Sequence, residues 1–210
     1  MPVSVSVSTL LAGFEPTTLL AYLAAAVALI LAPGPDTMYV LARGLQGPDA
    51  GVRSALGVAT GVLLHTLAAA LGVAALLRTA PTAFTLLKYV GAAYLLYLAA
   101  QALRTEEFDP TTESDAGGSF RRGVLVNALN PKVALFFLAF LPGFAGAGPD
   151  APERMAFLGV LYAVVTAVYL SSVALASNRA GRLLARTRLS QGLQYVAGGV
   201  MVVLAATLVL

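Results

Sequence analysis

The sequence predicts an all-α integral membrane protein, a six-transmembrane-helix bundle that forms a single membrane domain over residues 1–210. Of its 210 residues, 59% are hydrophobic and only 11% are charged, and the mean hydropathy is +0.84. A soluble domain has about a quarter of its residues charged, so this chain lacks the polar side chains to cover a water-facing surface. Its apolar residues also form six runs, each close to the ~20 residues that a helix needs to cross the hydrocarbon core.

Short polar connections separate these six runs. In chain order the runs cover about 17–43, 52–77, 84–103, 123–144, 154–177 and 189–210, with short turns predicted at 44–50 and 146–152. The only substantial hydrophilic segment, about 105–122, carries five acidic residues and is predicted to be a solvated loop. It divides the domain into a first half, about 14–104, and a second half, about 123–210.

A weak internal similarity suggests that the two halves are repeats. Leu87–Ala93 (LKYVGAA) resembles Leu193–Gly199 (LQYVAGG), and the first and fourth runs are both broken by proline. A three-helix unit that occurs twice must be inverted, because an odd number of crossings reverses the chain. Inverted repeats hold substrate at their interface, on discontinuous helices. Chance self-similarity of a chain rich in Ala, Leu, Val and Gly is the alternative.

The basic residues predict the orientation. Nine arginines lie in the first, third and fifth connections, whereas Arg78, Lys88 and Arg154 lie on the opposite side. By the positive-inside rule this distribution places both termini outside a cytoplasmic (inner) membrane. The net charge of +3 therefore reflects topology, and no nucleic-acid partner is predicted.

Missing residues and motifs exclude several functions. The chain has no cysteine, so it cannot form a disulfide, a thiolate metal site or a thiol redox centre. No phosphate-binding glycine loop, nucleophile elbow or His-Glu-x-x-His motif is present. We predict neither an enzyme nor a bound cofactor.

The first proline break is Pro33-Gly34-Pro35, followed directly by Asp36. Two prolines cannot continue a helix, and within a bilayer such a break is tolerated only where protein or a water-filled cavity satisfies the freed backbone groups. A carboxylate at this depth must face the bundle interior. These four residues are predicted to bind substrate, with Asp36 taking an ammonium group or a proton. The alternative is that Asp36 only caps the helix that resumes after Pro35.

The second break is Asn130-Pro131-Lys132, with Asn127 one helical turn earlier on the same face. We predict that these four residues also bind substrate and that Lys132 and Asp36 share one pocket in the inner half of the bilayer. Lys132 would hold a carboxylate or act as the counter-ion of Asp36. The alternatives are that Lys132 snorkels to the interface and that the asparagines only join helices.

Two further features lie in the second run. His65, the only histidine, is a candidate proton relay because an imidazole can gain and lose a proton near physiological pH, although a packing role is the alternative. Gly57 and Gly61 form a small-xxx-small pair that predicts close helix packing rather than ligand binding.

The chain resembles the lysine-exporter (LysE/RhtB) translocator family of amino-acid efflux proteins. The resemblance is carried by Ala32–Thr37 (APGPDT), Gly57–His65 (GVATGVLLH), Leu87–Leu95 (LKYVGAAYL), Asn127–Phe137 (NALNPKVALFF) and Phe140–Pro142 (FLP). It implies a six-span inner-membrane carrier that exports amino acids or similar small metabolites against a proton or membrane-potential gradient, as an antiporter.

The expected partners are therefore an amino-acid-like substrate and the lipid bilayer, and a homo-oligomer is left open. Two other functions also stay open. A divalent-cation efflux carrier would bind metal at Asp36 with His65 and the asparagines. A membrane scaffold would transport nothing, and its buried polar residues would only join helices.

Overall fold

All the elements described in the computed structural model are helical. It describes residues 13–73, 118–146 and 148–180, with isolated helical positions from 82 to 100 and from 199 to 206. Most of the sixth predicted span, more than half of the third, the loop before Gly118 and most residues of the two segments that suggested a repeat lie outside the described residues. So does most of the basic stretch from Arg179 to Arg188.

The helices follow one another closely in each described part. The first part contains α1 (Pro16–Leu31), α2 (Pro35–Gln46) and α3 (Pro48–Ala68), which continues into a π-helical turn, Ala69–Val73. The second contains α4 (Ser119–Ala128), α5 (Pro131–Leu135), a π-helical turn (Phe136–Phe140), α6 (Leu141–Ala145) and the long helix α7 (Ala151–Ala180).

Four candidate membrane spans arise from these helices, at the first, second, fourth and fifth predicted runs. Pro48–Gly72 and Ala151–Ser177 are each long and apolar enough to cross a membrane. The other two are bent pairs, in which α1 and α2 meet at 53° and α4 and the Pro131–Ala145 helix meet at 49°. Both bends fall at the predicted proline breaks, since neither Pro35 nor Pro131 can donate a backbone hydrogen bond.

The predicted turn at 44–50 is wrong. Helix α2 continues to Gln46, and only Gly47 separates it from α3. The Gly47 N–H donates to the Arg43 carbonyl, 3.2 Å away, and Pro48 occupies the first helical position that follows. Proline fits that position because the N–H it lacks would have no helical partner there, so one glycine is enough to end one helix before the next begins.

Close packing of α3 against α4 confirms the prediction for Gly57 and Gly61. A Cβ atom at Gly57 would collide with the Phe120 backbone, and one at Gly61 would lie 2.7 Å from the Asn127 Cβ. Gly123 on α4 contacts the Ser54 region of α3 in the same way. Glycines on both helices therefore let the backbones approach closely, and this contact fixes the position of Asn127.

An aromatic core lies beside the two bends. Phe136 and Phe137 in the π-helical turn are fully buried, and their rings contact those of Tyr22 and Tyr162. The Tyr22 hydroxyl donates to the Leu158 carbonyl at 2.6 Å, which ties α1 to α7. The core thus holds α1, α7 and the second bent pair together around the polar residues at the breaks.

Candidate polar site between two helix breaks

The two charged residues occupy the same place in their respective breaks. Pro35 is the first residue of α2 and Asp36 the second, while Pro131 is the first residue of α5 and Lys132 the second. Both charged side chains are buried, with exposed fractions of 8% for Asp36 and 6% for Lys132. Each reaches across to the opposite break.

Asp36 interacts with the second break through two amide groups. Its Oδ2 accepts hydrogen bonds from Asn127 Nδ2 at 2.8 Å and from Asn130 Nδ2 at 2.9 Å. The cap of α2 is Gly34, and no side chain bonds to that helix end. The alternative in which Asp36 only caps its own helix is therefore wrong, because its carboxylate is bonded to the asparagine amides instead.

Asn130 joins three parts of the site. Its Nδ2 donates to Asp36, and its Oδ1 accepts from the Lys132 backbone N–H at 3.0 Å, which makes Asn130 the N-cap of α5. This cap satisfies one of the backbone donors that Pro131 leaves at the start of the helix. The Asn130 side chain thereby holds α5, the helix of Lys132, next to the Asp36 carboxylate of the other break.

Lys132 interacts with the first break through its ammonium group. Nζ donates to the Leu29 carbonyl at 3.1 Å and to the Ala32 carbonyl at 2.9 Å. These carbonyls lie at the end of α1, where no further helical N–H group is available to donate to them. A cation at a helix C-terminus is also favoured by the helix dipole. Lys132 therefore does not snorkel to the interface. In the described part of the chain, Lys132 Nζ does not come within 4 Å of an Asp36 carboxylate oxygen, so the two residues form no ion pair.

Gly34 gives this ammonium group the space it needs. A Cβ atom at Gly34 would lie 3.0 Å from Lys132 Nζ. The backbone there is extended (φ −162°, ψ −175°), so any residue could adopt it. A Cβ atom there would require the ammonium group to shift by a few tenths of an ångström, so the contact links the Pro-Gly-Pro sequence directly to the lysine of the second break.

A small cavity lies between the breaks, and both Asp36 and Lys132 line it. Its volume is about 10 Å³, close to the space of a single water molecule. The predicted shared pocket is thus present, but in this conformation it is closed around the polar groups. Its polar wall includes Asn127, and its apolar wall is formed by Leu29, Ile30 and Leu170.

Sequence reasoning missed the part of the cavity that α7 contributes. Tyr162, Thr166 and Leu170 line the cavity from this helix, and Thr37 lines it from α2. The spacing of four residues between Tyr162, Thr166 and Leu170 places all three on one face of a helix. That spacing was visible in the sequence, but beyond Arg154 at its start the fifth run contains no proline break and no charge that would have distinguished it.

His65 lies next to this network without entering it. Its Nε2 lies 2.9 Å from the Asn127 carbonyl oxygen, so this nitrogen carries the proton, because a carbonyl can only accept. The ring packs near Phe137, with centroids 6.1 Å apart. His65 therefore contacts the backbone of Asn127, and Asp36 contacts its side chain.

The polar site does not resemble a transition-metal centre. Within the described parts of the chain, no three His, Cys, Asp or Glu residues cluster where they could hold a metal ion. Among the residues that the structure describes, Asp36 is the only carboxylate lining the cavity, and its Oδ2 already accepts hydrogen bonds from two asparagines. The described residues of this site give no specific support to the alternative that the protein is a divalent-cation carrier.

A second polar contact joins α2 to α4 two turns from the cavity. Arg43, which is buried, donates to Ser119 Oγ at 2.5 Å and to Gln46 Oε1 at 2.8 Å. The Tyr39 hydroxyl donates to the Ser119 carbonyl at 2.9 Å. Helices α2 and α4 are thus held together at both ends, by Asp36 with Asn127 and by Arg43 with Ser119.

Comparison with known proteins places this architecture in a transport family. The model of the LysE type translocator family matches residues 27–210. An uncharacterized membrane protein of Pseudomonas aeruginosa is 39% identical over 161 residues, covering 71% of this chain and 74% of the relative. A leucine efflux protein of Salmonella typhimurium is 34% identical over 157 residues, covering 71% and 74%. The leucine efflux protein of Klebsiella pneumoniae is 32% identical over 174 residues, covering 80% and 82%. No solved structure matches the chain.

Proposed function

Because the chain belongs to the LysE type translocator family, we propose that it is a secondary carrier that exports leucine or similar apolar amino acids. The relatives named leucine efflux proteins support this substrate class. The observation that carries the proposal is the buried cavity. Asp36 and Lys132 line it from the two helix breaks, and aliphatic side chains form the rest of its wall.

The charges of the cavity suit a zwitterion. One carboxylate and one ammonium group balance each other, so a substrate that also carries one charge of each sign adds no net charge to the buried site. Lys132 uses two of its three N–H donors on α1 carbonyls, which leaves the third for a substrate carboxylate. Asp36 would take the substrate ammonium, and Asn130 would support the carboxylate end.

The apolar wall suits an aliphatic side chain. Leu29, Ile30 and Leu170 border the cavity opposite its polar groups, so a leucine side chain would remove apolar surface from water there. A cavity of about 10 Å³ holds no amino acid, and this conformation would therefore be an occluded state. Binding would require the two bent pairs to separate.

Transport would follow from movement of one half against the other. The matching positions of Pro35-Asp36 and Pro131-Lys132 support two inverted three-helix units in a six-span bundle. The distribution of arginines favours both termini outside the cytoplasmic membrane. Asp36 could bind a proton when the substrate ammonium leaves, which would couple export to proton entry. His65, which bonds to Asn127, would relay that proton.

Counterflow of radiolabelled leucine into loaded proteoliposomes tests this proposal. Wild-type protein should exchange leucine, whereas Asp36→Asn and Lys132→Met should each reduce exchange by at least about a hundredfold, because a charged partner of the substrate is lost. Asp49→Asn and Arg53→Gln remove the same charges from exposed positions and serve as controls. Full exchange by either site variant, or no exchange of any amino acid by the wild type, would contradict the carrier assignment.

A further inference from the structure

Three buried oxygen atoms around the cavity have no hydrogen-bond partner. They are Asp36 Oδ1, Asn127 Oδ1 and Thr166 Oγ1. Their residues are at least nine-tenths buried, with exposed fractions of 8%, 0% and 4%, and all three line the same water-sized cavity. They come from three different helices, α2, α4 and α7, so no single local turn explains them.

Buried polar atoms are nearly always hydrogen-bonded, and each exception requires an explanation. A carboxylate oxygen and an amide oxygen can only accept, and a hydroxyl oxygen can accept as well. A group that satisfies all three must therefore bring up to three donors into a space of about 10 Å³. A primary ammonium group has this number of donors and nearly the size of a water molecule.

The neighbouring charge favours an ammonium group that belongs to a zwitterion. Lys132 borders the same cavity, so a free cation such as Na⁺ would add an uncompensated positive charge next to the lysine. An amino acid brings its own carboxylate, which would approach Lys132 and keep the site neutral. A single water molecule has only two donors and would leave the charge distribution unchanged.

We propose that these three oxygens form the seat of the substrate's α-ammonium group and that Thr166 is the residue that completes it. The inference rests on the proposed export function and adds to it a selectivity rule. A primary amine with three N–H donors satisfies all three oxygens, whereas an N-methylated amine has only two donors and leaves one of the three oxygens without a partner. The carrier should therefore discriminate strongly against N-methylated amino acids.

The test compares leucine with N-methylleucine as competitors in the counterflow assay. The wild type should prefer leucine by about tenfold or more, which is the expected effect of one hydrogen bond to a charged group. Valine has nearly the same shape as threonine but lacks the oxygen. Thr166→Val should therefore weaken competition by leucine about tenfold and change competition by N-methylleucine little. Thr166→Ser keeps the hydroxyl and should retain the wild-type preference.

The remaining outcomes separate the possible occupants. If Thr166→Val weakens both competitors equally, the oxygen binds water only and the inference is overturned. If exchange requires Na⁺ and Thr166→Val removes that requirement, the cavity is a metal-cation site and the inference is also overturned. Thermal unfolding of the purified variants in detergent controls for misfolding. If the wild type exchanges no amino acid, the export proposal fails together with this inference, whereas an unchanged preference in Thr166→Val with normal exchange contradicts this inference alone.

Discussion

The two helix breaks carry opposite charges and are stabilised in different ways. At the first break, Lys132 donates to the carbonyls at the end of α1, and the N-cap of α2, Gly34, makes no side-chain hydrogen bond. At the second break, Asn130 caps α5 locally and also donates to Asp36. The first break is therefore completed by residues of the second, whereas the second has its own cap.

This difference shows that the breaks form one polar unit. Asp36 is held by two asparagines from the other bent pair, and Lys132 is held by two carbonyls from the other bent pair. Neither charge is satisfied within its own break. Buried charges without partners are strongly unfavourable, so the two bent pairs stabilise each other.

The largest effect should come from removing one charge of this unit. We expect Asp36→Asn and Lys132→Met each to lower the free energy of unfolding in detergent by about 3–5 kcal/mol, because each removes the opposite charge that borders the same buried cavity and disturbs the hydrogen bonds between the breaks. The double variant should lose clearly less than the sum of the two single losses. Losses that add within about 0.5 kcal/mol would show that the two charges do not interact and that the two breaks are independent.

A smaller loss of stability is expected when Gly34 of the first break is replaced, and a smaller loss still when Gly47 outside the break is replaced. Gly34→Ala places a Cβ atom 3.0 Å from Lys132 Nζ, so we expect a loss of about 1–3 kcal/mol as the ammonium group is displaced from the α1 carbonyls. Gly47→Ala is the matched control, because its Cβ atom would meet nothing within 4 Å and its backbone is extended. Equal unfolding midpoints for the two variants would contradict the steric role of Gly34.

The sequence was most informative where a residue contradicted its surroundings. Proline and a charge within an apolar run predicted both bends, the burial of Asp36 and Lys132 and the cavity that they share. The glycine pair on α3 predicted its close contact with α4. These features are visible because a bilayer leaves few alternatives for broken helices and buried charges.

Other features depend on tertiary contacts that no local pattern records. The acceptors of Lys132 are backbone carbonyls about a hundred residues earlier, and a carbonyl has no identity in the sequence. The π-helical turn Phe136–Phe140 and the single-glycine turn at Gly47 follow from packing and backbone geometry. Thr166 is an ordinary residue of an apolar helix until α2 and α4 bring their oxygens to the same cavity.

The central claim is that the cavity between the breaks is the substrate site, and cysteine labelling tests it most directly. Because the chain has no cysteine, Thr37→Cys introduces a single thiol at the wall of the cavity, and Asp49→Cys introduces one at an exposed control position. We predict that saturating leucine slows methanethiosulfonate labelling of Cys at position 37 at least several-fold and leaves position 49 unaffected. Equal labelling rates at position 37 with and without leucine, in protein that still exchanges leucine, would contradict the account.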